Sequence, residues 1–314
     1  MSWQQSDRLE RGAVHAQHKW TARDSARLWQ SISSSADGRK LAAVVNGGQI
    51  YTSTDGGVNW TPRESDRDWS SITSSADGKK LAATVFNGPI YTSTDGGVNW
   101  TARASNRYWH AITSSANGQK LVAVEFSGQI YTSADSGATW TARESSRIWI
   151  SVSSSADGHK LAAVTYGGQI YTSTDSGVTW TPRATNRPWY AITSSADGSK
   201  LAALGGGQIY TSKDSGITWT AGASNRDWYA ITSSADGQKL AAVEYGGQIH
   251  TSADSGATWT AWEGNRYWQS ITSSADGLKL AVGVFGGHIH TFIAPQESQP
   301  KVAPRPADYA TRCL

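Results

Sequence analysis

The chain has 314 residues, only 17 % of them charged, and 28 Lys and Arg against 25 Asp and Glu leave a net charge of +3. So small a surplus argues against nucleic acid as a partner, because a basic excess must neutralise phosphates. One Met, four Phe, 32 Gly and 16 Trp describe short strands and tight turns rather than helices.

Residues 1–18 are polar and hold no apolar run that could serve as a secretory signal or membrane span. They read as an N-terminal extension, and the expected location is cytoplasmic, or outside the cell without an ordinary signal peptide. Cys313 is the single cysteine, so no internal disulfide can form.

Residues 19–293 read as one repetitive domain. Arg-x-Trp recurs at Arg27/Trp29, Arg67/Trp69, Arg107/Trp109, Arg147/Trp149, Arg187/Trp189, Arg226/Trp228 and Arg266/Trp268, every 40 residues except for one interval of 39. A fixed period of that size marks a unit that cannot bury its own apolar faces and is stabilised by stacking on copies of itself. In the second repeat, residues 69–75 predict strand a, closed by the turn Ala76-Asp77-Gly78. Residues 80–86 predict strand b, Asn87-Gly88 a turn, and residues 90–94 strand c. Asp95-Gly96-Gly97 then turns the chain into strand d, residues 99–103. Four short antiparallel strands per repeat predict an all-β fold, a seven-bladed β-propeller of four-stranded antiparallel blades. The last repeat stops after its third strand, His288–Phe292, while Lys19-Trp20-Thr21-Ala22-Arg23 matches the fourth strand of the other repeats. An N-terminal strand completing the last blade in a 3+1 arrangement would latch the ring and remove an open sheet edge. Residues 294–314, with Pro295, Pro300, Pro304 and Pro306, carry no period and read as a disordered tail.

At the third hairpin the chain spells Ser-x-Asp-x-Gly-x-x-Trp six times, from Ser53/Asp55/Gly57/Trp60 to Ser252/Asp254/Gly256/Trp259. This pattern resembles the Asp-box, or bacterial neuraminidase repeat, and the likeness covers roughly residues 20–292. Its residues are suited to a fastener. Asp accepts hydrogen bonds from turn N–H groups, Gly supplies a positive φ, and Trp folds back as an apolar plug. A seventh, degenerate copy has His15 and Gln17 in place of Asp and Gly ahead of Trp20.

Antiparallel order puts the Asp-box hairpins and Ser-Ala-Asp/Asn-Gly turns on one face of the disc. The opposite face receives the seven Arg-x-Trp units, together with Phe86, Phe126, Tyr166, Tyr245 and Phe285 at the ends of strand b. Five further arginines follow strand d: Arg23, Arg63, Arg103, Arg143 and Arg183. Aromatic rings beside fixed guanidiniums suit ligands with an apolar face and several hydroxyls. The expected sites are therefore clefts between blades, lined by Arg27, Trp29, Arg67, Trp69, Arg107, Trp109, Arg147, Trp149, Arg187, Trp189, Arg226, Trp228, Arg266, Trp268 and the five strand-b aromatics. Glu125 and Glu244 belong with them, as acids that break the repeat at one equivalent position.

Repeated weak sites favour recognition over catalysis, and the chain is similar to bacterial seven-bladed propeller lectins, whose glycan sites lie between blades. That resemblance implies a carbohydrate-binding protein with glycans or glycoconjugates as partners. The alternative is an interaction scaffold, similar in fold to Asp-box assembly factors of photosystem II, holding an acidic protein partner on the arginine face. A sialidase-like hydrolase is a third reading, against which stands that, apart from Glu125 and Glu244, nearly every acid belongs to a repeat position or a variable turn. No enzyme activity, cofactor, metal or membrane span is expected.

Overall fold

The computed structural model describes residues 20–222, 225–262 and 264–294, and every regular element among them is a strand. The expected extension, the tail from Pro295 onward, Cys313 and the degenerate His15/Gln17 copy lie outside the described residues.

Blade 3 shows the unit. Its strand a lies within Thr101–Ser114 and pairs with strand b, Leu121–Glu125, from Trp109↔Glu125 to Ser114↔Leu121. Strand b pairs with strand c, Gly128–Ser133, and strand c with strand d, Thr141–Arg147, all antiparallel. The a–b pairing recurs seven times, once per blade. Two details differ from the sequence reading. Strand d starts after the Asp-box Trp, as at Thr101, because Trp100 folds back onto the core instead of continuing the strand. Strands Thr21–Ser34, Thr61–Ser74 and Thr101–Ser114 each run unbroken from strand d of one blade into strand a of the next.

Strand b explains why blades must stack. Leu41, Ala43 and Val45 pack back onto Ala281 and Ile289 of blade 7, whereas Ala42 and Val44 pack forward onto Trp69 and Ile72 of blade 2. Alternate residues of one strand thus feed two different cores, and seven such clusters lie between successive blades.

The ring closes as the sequence predicts. Thr21 pairs with Thr291, Ala22 with His290 and Arg23 with Ile289, so the N-terminal strand is strand d of blade 7. A second closure was not legible beforehand. The amide of Ala36 donates to Ala76 O at 2.8 Å, and Ala76, Ala116, Ala156, Ala196 and Ala235 each donate to the next turn. Ala275 returns the bond to Ala36 O at 2.7 Å. Seven backbone hydrogen bonds therefore run head to tail around the axis, one from each blade.

Each Asp-box turn is locked internally. Ser53 Oγ donates to Asp55 Oδ1 at 2.8 Å and accepts from Gly57 N at 2.9 Å, Asn59 N donates to Asp55 Oδ1 at 2.9 Å, and Trp60 Nε1 donates to Gly57 O at 3.0 Å. Hydrogen bonds from the residue four positions on, and from the Ser two before, hold the carboxyls of Asp55, Asp95, Asp135, Asp214 and Asp254 down at about 2. At Asp175 desolvation pushes upward, and the same bonds outweigh it, again to about 2. A carboxyl held below its ordinary value of 3.8 stabilises the fold above that value and ceases to do so as pH falls through its folded pKa. Thermal melts should therefore show a shallow decline below about pH 6.5, as unfolding lets His110, His250 and His290 take up protons that burial denies them in the fold, and a steep fall from the Asp-box turns between about pH 4 and 2. A melting temperature unchanged down to pH 2 would remove the ionic role of these turns.

Candidate functional site

The face opposite the Asp-boxes is built from the b–c turns and the d–a connections. Phe126 N donates to Tyr108 O at 2.8 Å and Tyr166 N to Ile148 O at 2.9 Å, tying the two sets of loops together. At the connection the backbone turns through a left-handed residue that is not glycine in five blades: Asp24, Glu64, Ala104, Glu144 and Ala184, with φ from 30° to 55°. The side chains of three of them reach forward to the Arg of Arg-x-Trp, with Asp24–Arg27 at 3.5 Å, Glu64–Arg67 at 3.5 Å and Glu144–Arg147 at 3.4 Å.

The expected solvent-reachable tryptophans are corrected by the structure. Trp29, Trp69, Trp109, Trp149, Trp189, Trp228 and Trp268 are all buried, none more than 5 % exposed. Each fills the wedge between its own strand b and the preceding blade, as Trp109 does against Ala82 and Ile90. The indole N–H groups of Trp29, Trp69, Trp109, Trp189 and Trp228 meet no acceptor among the described residues, so packing alone holds these rings. The Asp-box rings, such as Trp100, are the less buried set.

The guanidiniums are not open donors beside those rings either. Arg27, Arg67, Arg107, Arg147 and Arg187 stack over the strand-c rings of Tyr51, Tyr91, Tyr131, Tyr171 and Tyr210 at 4.3–4.7 Å. Each Tyr meets the buried Trp of its blade edge-on, as Tyr51 meets Trp29 at 5.3 Å. A column of Trp, Tyr and Arg thus runs from the core to the rim. In blade 6 the Tyr is replaced by His250, and Glu244 takes up the vacated role. Its Oε1 lies 2.6 Å from His250 Nε2 and 2.8 Å from Arg226 Nη1. Burial holds His250 below the usual imidazole range against the pull of Glu244. Glu125 pairs with Arg107 at 3.5 Å, so both unusual glutamates are partners of an arginine in the same blade. In blade 7, Arg266 lies 5.9 Å over Trp268, and burial beside Arg266 and His288 lowers His290 to about 4.

Two expectations about charge fail together. Asp24, Glu64, Asp66, Asp68, Glu125, Glu144, Asp227 and Glu244 share this face with the seven arginines, so among the described residues it has no basic surplus. The strand-d arginines do not join it. Arg23, Arg63, Arg103, Arg143 and Arg183 turn back along the blade, each Nε donating to a strand-c Thr, and Arg23 and Arg63 line clefts beside the Asp-boxes.

What the face does expose is aromatic. Phe86, Phe126, Tyr166, Tyr245 and Phe285 stand out as expected, 39–51 % exposed, and Tyr108, Tyr190, Tyr229 and Tyr267 stand beside them. Tyr229, Tyr245 and Tyr267 form a ladder with centroids 5.6 and 5.2 Å apart, and Phe86–Tyr108 and Tyr166–Tyr190 make two more pairs at 5.3 and 5.9 Å. Tyr190 and Tyr229 do not stand out in the sequence because the position after the Trp on strand a is Gln, Ser, His or Ile in the other blades, with no aromatic repeat to mark it. A register shift after every such Trp, as between Trp109 and Ala111, makes the next residue the extra member of a β-bulge and re-aims it to the surface. The available signal was variability: Gln30, Ser70, His110, Ile150, Tyr190, Tyr229 and Gln269 differ while their neighbours repeat.

Among the described residues no cluster of His, Cys, Asp and Glu is placed to hold a metal ion, and no helix is long and apolar enough to cross a membrane. A family model for the BNR/Asp-box repeat matches residues 51–62. No curated protein matches the chain. Solved structures similar to it include YCF48 bound to D1 peptide, with 18 % identity and a TM-score of 0.69 over 88 % of this chain and 97 % of that one. YCF48 from Cyanidioschyzon merolae gives 20 % and 0.70 over 88 % and 98 %. The Cps50 (Swd1) β-propeller domain of Myceliophteria thermophila gives 13 % and 0.69 over 88 % and 100 %. At these identities the likeness is one of fold.

The buried column reverses the roles first assigned to two tryptophans. Trp109→Ala empties a sealed wedge and should cost about 3–5 kcal/mol, more than Trp100→Ala at the half-buried plug. Urea unfolding of the two variants checks the order, and a larger loss for Trp100→Ala would contradict it.

Proposed function

We propose that the protein is a non-enzymatic interaction scaffold whose aromatic face holds a partner polypeptide. The observation that carries this reading is the set of exposed Tyr and Phe rings on a face whose indoles are sealed and whose arginines are engaged. A glycan held by Trp stacking finds no open indole there, and five of the seven guanidiniums already have a carboxylate beside them. Rigid aromatic rings carry binding energy at protein interfaces at little entropic cost, and a closed ring presents them on fixed backbone.

The partner chemistry differs from an acidic chain docking on basic charge. Because carboxylates already accompany the arginines, attraction must come from apolar contact, with the paired charges setting orientation. The partner is therefore a segment with aromatic or aliphatic anchors spaced among polar residues. The solved YCF48 structure with a D1 peptide is a propeller of similar fold with a peptide bound, which supports a polypeptide as the kind of ligand a fold of this kind accepts.

A library of peptides displayed against the purified protein tests this. Retained peptides should be rich in apolar anchors, and Tyr245→Ser with Tyr267→Ser should weaken the best of them by about tenfold or more at unchanged melting temperature, as removal of interface anchors does. Saturable binding of neutral glycans, with no peptide retained, would overturn the assignment.

A further inference from the structure

We infer that two adjacent clefts on the Asp-box face, between blades 7 and 1 and between blades 1 and 2, bind alternate acidic residues of an anionic oligosaccharide. This inference is independent of the protein-binding reading, which concerns the other face.

The first cleft has a volume of about 570 Å³ and is bordered by Arg23, Arg39 and Lys279; the second, of about 320 Å³, repeats them as Arg63, Lys79 and Lys40. Volumes of this order hold small polar ligands. One substitution accompanies the opening of these clefts. Between blades 2 and 5 the strand-b lysines reach across to the next Asp-box. Lys80, Lys120 and Lys160 Nζ donate to the Oγ atoms of Ser136, Ser176 and Ser215 at 3.2, 3.1 and 3.3 Å. Blades 1 and 2 have Gly56 and Gly96 at the serine position. Lys279 and Lys40 have no such hydroxyl in reach and donate to the turn carbonyls of Asp37 and Asp77 at 2.6 and 2.8 Å, as Lys200 does to Asp236 at 2.8 Å even with Ser255 present, and the mouths of the two clefts are left unspanned.

A second departure coincides with the first. Arg39 and Lys79 occupy a position filled by Gln119, His159, Ser199, Gln238 and Leu278 in the other blades. The two repeats that lose the bridging serine are thus the two that gain a cation. The cleft between blades 5 and 6, where Ser255 is present and Gly222 replaces the strand-d arginine, shrinks to about 10 Å³. Each open cleft has one carboxylate on its wall, Asp55 or Asp95, and both are already engaged by Ser and Asn of their own turn. Asp37 and Asp77, behind the walls, also feel these cations and are held by the Ser and backbone of their own turns, so three cations stand against two occupied acids at each cleft.

The shape and walls select the ligand. A guanidinium offers paired donors to a carboxylate or sulfate, and hydroxyls of Thr54, Thr272, Ser34 and Ser74 line the clefts as partners for sugar hydroxyls. The second cleft has no aromatic ring on which a base could stack. Two separate cavities one blade apart, about 10 Å by the spacing of stacked sheets, suit alternate rings of a stiff acidic glycan.

Titration calorimetry with a tetragalacturonate and with a sulfated tetrasaccharide tests the inference, the two arms deciding between carboxylate and sulfate. Gly56→Ser with Gly96→Ser should let Lys279 and Lys40 bridge as their counterparts do. The fold tolerates serine there, since Ser136 holds a φ of 58° and a Cβ on Gly56 or Gly96 meets its nearest atom at 3.7 or 3.6 Å. That pair, and separately Arg39→Gln with Lys79→Gln, should each weaken binding by about tenfold or more, the scale of a lost charge-assisted contact, at unchanged melting temperature. The inference is overturned if the native protein binds neither tetrasaccharide, if it binds hexaglutamate as tightly, or if both variant pairs bind as the native protein does.

Discussion

A blade of four short strands has two apolar faces and no interior of its own, and every other property of this protein follows from that constraint. Strand b feeds Leu41, Ala43 and Val45 to one neighbour and Ala42 and Val44 to the other, so no blade is complete until both neighbours are in place. Stacking must then go on until it meets itself. The strand Thr21–Ser34 achieves this at the outer edge by supplying the missing strand of blade 7, and the cycle of amides from Ala36 to Ala275 achieves it at the axis. The two closures act at opposite ends of the blade, and the seven packed clusters fill the wedges between them.

The same constraint decides what the Arg-x-Trp unit does. Blades diverge from the axis, and a large flat side chain is required where they spread, which is where the tryptophan sits. The tyrosine on strand c shields it edge-on, and the arginine caps the tyrosine. Charge is carried outward in steps, with the aromatic body inside and the guanidinium at the water. The blades that break this order show its logic. In blade 6, where His250 replaces the tyrosine, Glu244 binds both it and Arg226. In blade 7, where His290 does so, Val284 stands at the glutamate position and the imidazole meets Trp268 edge-on at 5.4 Å.

The fold was legible because its signals are local and multiplied. A turn such as Ser-Ala-Asp-Gly defines a hairpin by itself, seven copies count the blades, and the truncated last repeat with the orphan strand around Trp20 announces the closure. The site was less legible because exposure in a propeller is set across chains of contact that a single repeat does not contain. Trp109 is sealed by Ala82 and Ile90 of the preceding blade, and no spacing within its own repeat says so. Tyr190 and Tyr229 surface through a bulge whose extra residue leaves no mark in the alternation of polar and apolar residues. The arginines on strand d were assigned to the wrong face for the same reason, because a long side chain that folds back along a blade ends far from its backbone.

Seven repeats with one backbone also act as an alignment inside a single chain. Positions that agree in every copy, the tryptophan, the turn alanine and the strand-b lysine, are those the ring needs. Positions that differ are free to specialise, and they separate by face. On one side the differing residues are Tyr108, Tyr190, Tyr229 and Tyr267, an apolar surface whose charges are paired among themselves. On the other they are Gly56, Gly96, Arg39 and Lys79, which open space and add cations at two adjoining clefts. An interface built on apolar contact and a cleft built on charge respond oppositely to salt, the first holding while the second weakens. Because the two lie on opposite sides of a rigid disc, occupancy of one places no steric demand on the other.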